Sequence, residues 1–151
     1  SGAKLLEDAA LDALRTRLIP MATLVTPNLP EAELLLGHRI AGDDAAEAAL
    51  DALTALGASA VLLKGGHLPG ARMIDRLAAG GTRARFTHAR LDVEGHGTGC
   101  TLAAAVAAEL LLGHALPEAC ARATDYVHGA LVHAYRPGRG KVAVLDHFWR
   151  T

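Results

Sequence analysis

Apolar positions along the chain follow two patterns, short continuous runs and longer stretches with helical spacing. The runs in "MATLVTPN" and "ASAVLLKGG" end in turn residues, which is typical of short buried strands. "TRARFTHARL" alternates between apolar and polar residues and predicts a strand at an antiparallel edge. The stretch around it, from Met73 to Asp92, has no clear period. "KVAVLDHFW" predicts a final strand or a short end segment.

Helical spacing dominates the rest of the chain. A first helix is predicted from Leu5 to Leu18, with Pro20 as its stop. Its apolar face is marked by residues four positions apart, namely Leu6, Ala10, Leu14 and Leu18. "PEAELLLG" predicts a short helix that begins at a proline and ends at Gly37. Further helices are predicted from Asp43 to Gly57, after "GHGTGC", and from about Pro117 to Tyr135.

The alternation of strands and helices indicates an α/β fold with a largely parallel sheet flanked by helices. In such sheets, ligands bind outside the carboxyl ends of the strands. "TPNLPE", "KGGH" and "GHGTGC" each lie where a predicted strand gives way to a loop or helix. We therefore expect these three segments to meet at one edge of the sheet, and residues 1–151 to form a single α/β unit.

The composition is that of a globular protein and narrows the choice of partners. Hydrophobic residues make up 51% of the 151 residues, enough for a packed core. A net charge of −1 and 3% aromatic residues argue against nucleic acid binding, which uses basic surfaces and base-stacking side chains. No apolar stretch is long enough to span a membrane. Two cysteines form no disulfide framework, so a reducing, cytoplasmic compartment is expected. The oligomeric state stays open, with a homo-oligomer as one option.

"GHGTGC" places glycines and a cysteine at the mouth of a helix. Gly97 and Gly99 would let a ligand approach the backbone, and the N–H groups of a first helical turn attract an anion such as phosphate. The alternative is a tight turn that needs glycine for its backbone angles. Cys100 could accept a proton from a substrate hydroxyl or act as a nucleophile, or it could be a small buried apolar residue. Cys120 lies in an apolar helix face, and we expect it to be buried.

Asn28, Glu31 and Lys64 are the other candidates for a ligand site. The amide and carboxylate oxygens of Asn28 and Glu31 could hold a hydrated magnesium ion. The alternative, which these two residues alone favour, is a capping box in which each side chain bonds the other residue's backbone N–H. Lys64 ends an apolar strand, where its ammonium could contact nucleotide phosphates or be solvated. The eight histidines show no spacing typical of a metal site.

Three motifs carry a resemblance to a known family. In order and spacing, "TPNLPEAELLLG", "AVLLKGGH" and "GHGTGCTLAAAVAAEL" resemble the hydroxymethylpyrimidine and hydroxymethylpyrimidine-phosphate kinases of thiamine biosynthesis, in the ribokinase-like superfamily. The resemblance implies an enzyme that uses Mg-ATP to phosphorylate 4-amino-5-hydroxymethyl-2-methylpyrimidine and then its monophosphate. It therefore implies ATP and a small pyrimidine as the molecules that the protein binds.

The resemblance also implies roles for individual residues. An anion hole would stabilise the transferring phosphoryl group, and it would be formed by Gly97, Thr98, Gly99 and Cys100. Cys100 would also be the candidate general base. Asn28 and Glu31 would belong to a magnesium and phosphate network, without an assigned direct metal ligand. Lys64 would lie near the nucleotide phosphates.

Members of this family are substantially longer at the front, where the resemblance places the pyrimidine-binding residues. The chain is therefore expected to be the C-terminal, ATP-binding part of the fold, without the N-terminal part and inactive alone. A pyridoxal or pyridoxine kinase of the same superfamily is the nearest alternative. A non-catalytic nucleotide-binding fragment is another.

Overall fold

The computed structural model describes residues 7–93 and 95–150. The chain divides into two compact units, Ser1–Thr87 and His88–Thr151. Leu5 and Leu6, where the first helix is predicted to begin, lie outside the described residues. Across the part that is described, no helix is both long enough and apolar enough to cross a membrane.

The first unit begins with a short helix that changes its winding. Helix α1 (Asp8–Ala13) continues into a π-helical turn (Leu14–Leu18) and then a 3₁₀ turn (Ile19–Met21) that contains Pro20. Two longer helices follow, α2 (Leu29–Leu36) and α3 (Asp43–Ala55). The predicted ends of α2 and α3 are confirmed to within two residues, since turns at Gly37 and Gly57 follow them.

Among the described residues, the apolar face predicted for the first helix is confirmed at Leu14 and is wrong at Ala10 and Leu18. Leu11 and Leu14 pack against the core of the first unit, whereas Ala10 and Leu18 are exposed. Residues four positions apart drift by about 40° around an α-helix, so a strict four-residue repeat leaves the buried side.

Three strands form the sheet of the first unit, in the order β1 (Ala60–Leu63), β2 (Arg72–Ala79) and β3 (Thr82–Ala89). β1 and β2 are antiparallel, and their register runs from Ala60 opposite Ala79 to Leu63 opposite Arg76. A two-residue turn joins β2 to β3, which makes them a hairpin. The predicted strands at "AVLL" and "TRARFTHA" are confirmed, and the exposure of β3 alternates along its length.

β1 also has a parallel neighbour in the segment predicted as the first strand. Val25 pairs with Val61 and Asn28 pairs with Lys64, both in parallel orientation. The pairing stays at isolated bridges because Pro27 has no N–H to donate to the ladder between them. The α/β class is thus confirmed. The pairing differs from the expected largely parallel sheet, since the hairpin adds antiparallel strands on the other side of β1.

The core of the first unit lies between this sheet and its helices. α3 packs against β1 and β2, and α2 packs against α3. All four residues of β1 are buried, as expected for a central strand with a continuous apolar run. The buried side chains that α3 contributes are Ala46, Ala49, Leu50 and Leu53.

The second unit is built on two helices, α4 (Thr98–Leu111) and α5 (Leu116–Val132), which pack against each other. α5 ends three residues before the predicted Tyr135. The predicted final strand occurs as two isolated bridges, from Ala143 to Gly95 and from Val144 to Tyr135. Next to them, Trp149 packs against α5 at Gly129, where a Cβ atom would lie 2.0 Å from the indole.

Candidate functional site

Asn28 and Glu31 form the start of α2 in the first unit. The Glu31 N–H donates to Asn28 Oδ1, and the Asn28 N–H donates to Glu31 Oε2, each at 2.8 Å. Both bonds of a capping box are therefore present, which confirms the alternative that the two residues alone favoured. Glu31 Oε1 takes part in neither bond, and the side chain of Glu31 is more than half exposed.

Lys64 lies beside this cap, directly after β1. Its backbone N–H donates to the carbonyl of Pro27 at 2.9 Å, within the parallel bridge to Asn28. Its ammonium Nζ lies 3.8 Å from Glu31 Oε2, and its side chain is only 19% exposed. The structure thus brings three of the predicted residues, Asn28, Glu31 and Lys64, into one group.

The turn after Lys64 is held from β2 by a residue that the sequence analysis missed. Asp75 is 4% exposed, and its Oδ1 accepts the N–H of Gly65 at 2.8 Å. Gly65 has no room for a side chain, because a Cβ atom there would lie 2.0 Å from the carbonyl oxygen of Ile74. A carboxylate in the middle of a buried strand was the available signal, because such a group is rarely buried without a partner.

Arg76 also contacts the Ile74 carbonyl. Its Nη1 donates to the Ile74 oxygen at 2.9 Å, although the arginine is 1% exposed. Its guanidinium pairs with Glu47 at 3.0 Å and with Asp43, both at α3. These ion pairs compensate the guanidinium for its lost hydration.

The turn at Gly97 in the second unit has a different construction. Gly97 is the N-cap of α4 with φ = 87°, a left-handed conformation that favours glycine, and no described side chain caps the helix. The first intrahelical bond runs from the Thr101 N–H to the Gly97 carbonyl at 2.9 Å. The N–H groups of Thr98, Gly99 and Cys100 precede that bond and so have no acceptor within the helix.

The two cysteines of the second unit lie in opposite surroundings. Cys100 is exposed in the first turn of α4, so the interpretation as a buried apolar residue does not apply to it. Cys120 is buried in α5, as predicted. Burial raises the pKa of the Cys120 thiol from 9.0 to about 11, because desolvation penalises the thiolate.

The predicted site residues therefore fall into two groups. The acidic and basic side chains of the first unit form one group, and the bare first turn of α4 forms the other. That both belong to a single edge of one sheet stays a prediction. In the described residues, no cluster of three or more His, Cys, Asp or Glu side chains could hold a metal ion.

Both groups contain atoms that can bind a phosphate, and each has one further side chain that could assist. The first turn of α4 offers three backbone donors and the positive end of a helix dipole, which suits the oxygens of a phosphoryl group. The exposed thiol beside them can accept a proton in its thiolate form. The partly buried ammonium of Lys64 can neutralise a second phosphate, and the half-exposed carboxylate of Glu31 can contact a hydrated cation.

The sequence matches an established family along nearly its whole length. The family model described as Phosphomethylpyrimidine kinase matches residues 1–145. The chain is 44% identical over 156 residues to the hydroxymethylpyrimidine/phosphomethylpyrimidine kinase of Rhizobium meliloti (strain 1021), covering 99% of this chain and 59% of that protein. It is 46% identical over 140 residues to the thiamine biosynthesis bifunctional protein ThiED of Geobacter sulfurreducens, covering 92% of this chain and 29% of that protein.

Solved structures give the same fold. The pyridoxal kinase of Staphylococcus aureus in complex with AMP-PCP and pyridoxal superposes with a TM-score of 0.90 at 30% identity. The match covers 100% of this chain and 57% of that one. The chain thus spans less than two thirds of the length of these relatives, and its α/β fold is the ribokinase-like one.

Proposed function

The chain belongs to the phosphomethylpyrimidine kinase family, and from this premise we propose that it acts in an ATP-dependent kinase of thiamine biosynthesis. The enzyme would transfer the γ-phosphoryl group of ATP to 4-amino-5-hydroxymethyl-2-methylpyrimidine and then to its monophosphate. The observation that carries the proposal is the first turn of α4, where three backbone N–H groups and an exposed thiol stand together without a side-chain cap. The chain would supply the ATP-binding part of that enzyme.

The turn at Gly97 would supply both charge stabilisation and proton transfer. The substrate hydroxyl oxygen attacks the γ-phosphorus, the bond to the β-phosphate oxygen breaks, and ADP leaves. The Cys100 thiolate would accept the hydroxyl proton as the oxygen attacks. Three N–H groups would stabilise the negative charge on the transferring phosphoryl oxygens, and they belong to Thr98, Gly99 and Cys100.

The group around Lys64 would bind the nucleotide. Its ammonium would neutralise charge on the ATP phosphates, and its partial burial would strengthen that interaction. Magnesium prefers a few protein oxygens and keeps water and phosphate as its other ligands, and one half-exposed carboxylate fits that preference. Glu31 would hold the ion through Oε1 or through water, while Oε2 and Asn28 keep the helix cap. The bound ion would offset phosphate charge.

A pyridoxal kinase is the second candidate function. It is favoured by the structural match to the Staphylococcus aureus pyridoxal kinase, which was solved with pyridoxal bound. The higher identity to the Rhizobium meliloti enzyme, 44% against 30%, supports the pyrimidine kinase instead. A nucleotide-binding fragment without catalysis is a third outcome.

ADP release from Mg-ATP separates these candidates. It should be measured with hydroxymethylpyrimidine, with pyridoxal and without acceptor. Both the 151-residue chain and a fusion to the part of the Rhizobium meliloti kinase that this chain does not cover should be used. We expect pyrimidine-dependent turnover by the fusion and little by the chain alone, because positioning of the acceptor is worth about 7–11 kcal/mol. Turnover only with pyridoxal would favour the second candidate. Nucleotide binding without turnover by either protein would favour the third.

A further inference from the structure

Among the described residues of the first unit, Asp75 is the one buried carboxylate, and it reaches the turn that carries Lys64. β1 ends at Leu63, and its ladder with β2 ends there too, at the pair Leu63 and Arg76. Beyond that pair, the Gly65 N–H turns from the backbone of β2 to the side chain of Asp75. The Asp75 side chain therefore holds the start of the turn to β2, beyond the point where the backbone pairing of the two strands ends.

The opposite side of Lys64 is fixed as well. Its own N–H donates to the Pro27 carbonyl, and Asn28 pairs with it in the parallel bridge. Lys64 thus lies between one bond on the α2 side and the Asp75 bond one residue later. Its side chain, 19% exposed, has little freedom to compensate for a backbone shift.

The steric contact at Gly65 adds to the hydrogen bond. The Ile74 carbonyl of β2 occupies the space that a Cβ atom at position 65 would need, and it accepts a hydrogen bond from the Arg76 guanidinium. The turn can therefore approach β2 no closer, and the Asp75 bond prevents it from moving away. Contact and bond together restrict the position of the backbone that follows Lys64.

From this geometry we infer that Asp75 is a positioning residue for nucleotide binding, acting through Gly65 on the direction of the Lys64 ammonium. The inference rests on the proposed function, in which Lys64 contacts the phosphates of ATP. Asp75 itself touches no ligand in this scheme. Its contribution is to keep the ammonium at the place that the phosphates occupy.

Binding of AMP-PCP with Mg²⁺ to the 151-residue chain, measured by calorimetry, tests this inference. Asp75→Ala should weaken binding about tenfold, because the Gly65 N–H loses a charged acceptor. Asp75→Asn keeps an oxygen acceptor and should stay within about threefold of wild type. Glu33→Ala is the matched control, since Glu33 also accepts a backbone N–H, that of Ile40 at 2.8 Å, and should leave affinity unchanged.

A double-mutant cycle separates positioning from general stabilisation. If Asp75 acts through Lys64, then Asp75→Ala should cost nothing further in a Lys64→Ala background. Equal losses in both backgrounds would overturn the inference, and so would wild-type affinity of Asp75→Ala while Lys64→Ala binds weakly. Wild-type affinity of Lys64→Ala would instead remove Lys64 from nucleotide binding, which is a failure of the proposed function.

Amide exchange supplies a readout that does not depend on the nucleotide. In wild type, the Gly65 N–H should exchange slowly, and in Asp75→Ala it should exchange at least about tenfold faster while the β1 amides stay protected. If Asp75→Ala does not fold, Asp75→Ser replaces it, since its shorter side chain cannot span the same distance. Fast exchange of Gly65 in the folded wild type would overturn the inference without any variant.

Discussion

The turn at Lys64 and the turn at Gly97 both carry candidate residues for phosphate binding, yet different groups hold them in place. Around Lys64, side-chain interactions hold the backbone and the ammonium in place. They are the capping box at Asn28, the ion pair of Lys64 with Glu31 and the hydrogen bond to the buried carboxylate of Asp75. At Gly97, the backbone adopts its conformation without a side-chain cap, and its N–H groups point to no protein acceptor in the helix. A turn held by side chains suits the placing of one charged group, whereas a bare turn leaves its backbone donors for a ligand.

Replacement of Cys100 should produce the largest effect. In the active enzyme, Cys100→Ala should lower kcat by about 10²–10⁴-fold, the usual contribution of a positioned proton acceptor. The KM for ATP should change little, because the backbone N–H groups remain. Cys100→Asp should retain more activity than Cys100→Ala, since a carboxylate can also accept the proton. Steady-state kinetics measures both values.

The other cysteine provides the control for that measurement. Cys120 is buried in α5, and Cys120→Ala should keep a kcat near wild type while lowering thermal stability. A Cys100→Ala variant with near wild-type kcat would remove the thiol from the mechanism. The turn would then serve as a phosphate cradle alone.

Alanine substitutions of Gly65 and Gly97 should lower the free energy of unfolding by different amounts in the two turns. Gly65→Ala places a Cβ atom against the Ile74 carbonyl and should cost about 3 kcal/mol or more. Gly97→Ala meets no atom within 4 Å and costs only the strain of a left-handed residue, about 1–2 kcal/mol. Urea denaturation of the two variants gives both values. Equal losses would contradict the contrast between a sterically confined turn and an open one.

Loss of the capping box should have a smaller effect on the turn at Asn28. Asn28→Ala removes the acceptor for the Glu31 N–H and should cost about 1 kcal/mol in the free energy of unfolding. Asn28→Ser keeps an acceptor at the N-cap and should lie close to wild type. Chemical denaturation followed by far-UV circular dichroism measures the difference. An alanine variant as stable as wild type would show that the cap contributes nothing.

The pH dependence of stability should distinguish the buried thiol from the exposed one. The fold raises the pKa of Cys120 to about 11, so the unfolded thiol, near 9.0, ionises first as the pH rises. The contribution of the buried thiol is therefore complete below about pH 9 and is lost between pH 9 and 11. Denaturation midpoints from pH 7 to 11 should fall less in Cys120→Ala than in wild type. Cys100→Ala, which leaves the buried thiol in place, should follow wild type.

Local patterns in the sequence predicted the elements in which neighbouring residues act together. The continuous apolar run of β1, the alternation of β3 and the three-residue spacing of the capping box are all short-range signals, and the structure contains each. The sequence did not predict β2, because Asp75 and Arg76 are buried charges in the middle of the strand and break the expected alternation.

Features that depend on distant residues could not be predicted in the same way. The bond from Gly65 to Asp75 spans ten positions, and the ion pair from Arg76 to Asp43 spans 33. Both depend on the register between β1 and β2 and on the packing of α3, which spacing along the chain does not encode. The motif at Gly97 was found because all of its parts are adjacent in the sequence.

Trp149 gives the molecule a built-in optical probe. It is the sole tryptophan of the chain, its indole N–H donates to the Tyr126 carbonyl at 3.1 Å, and its ring stacks on that of His133. Tryptophan emission therefore follows the attachment of the C-terminal segment to α5, and a red shift marks its release into water. Residues 1–87 contain no tryptophan, so the emission reports on the second unit alone, whereas circular dichroism reports on both units. Different unfolding midpoints by the two methods would therefore show that the second unit unfolds separately from the first.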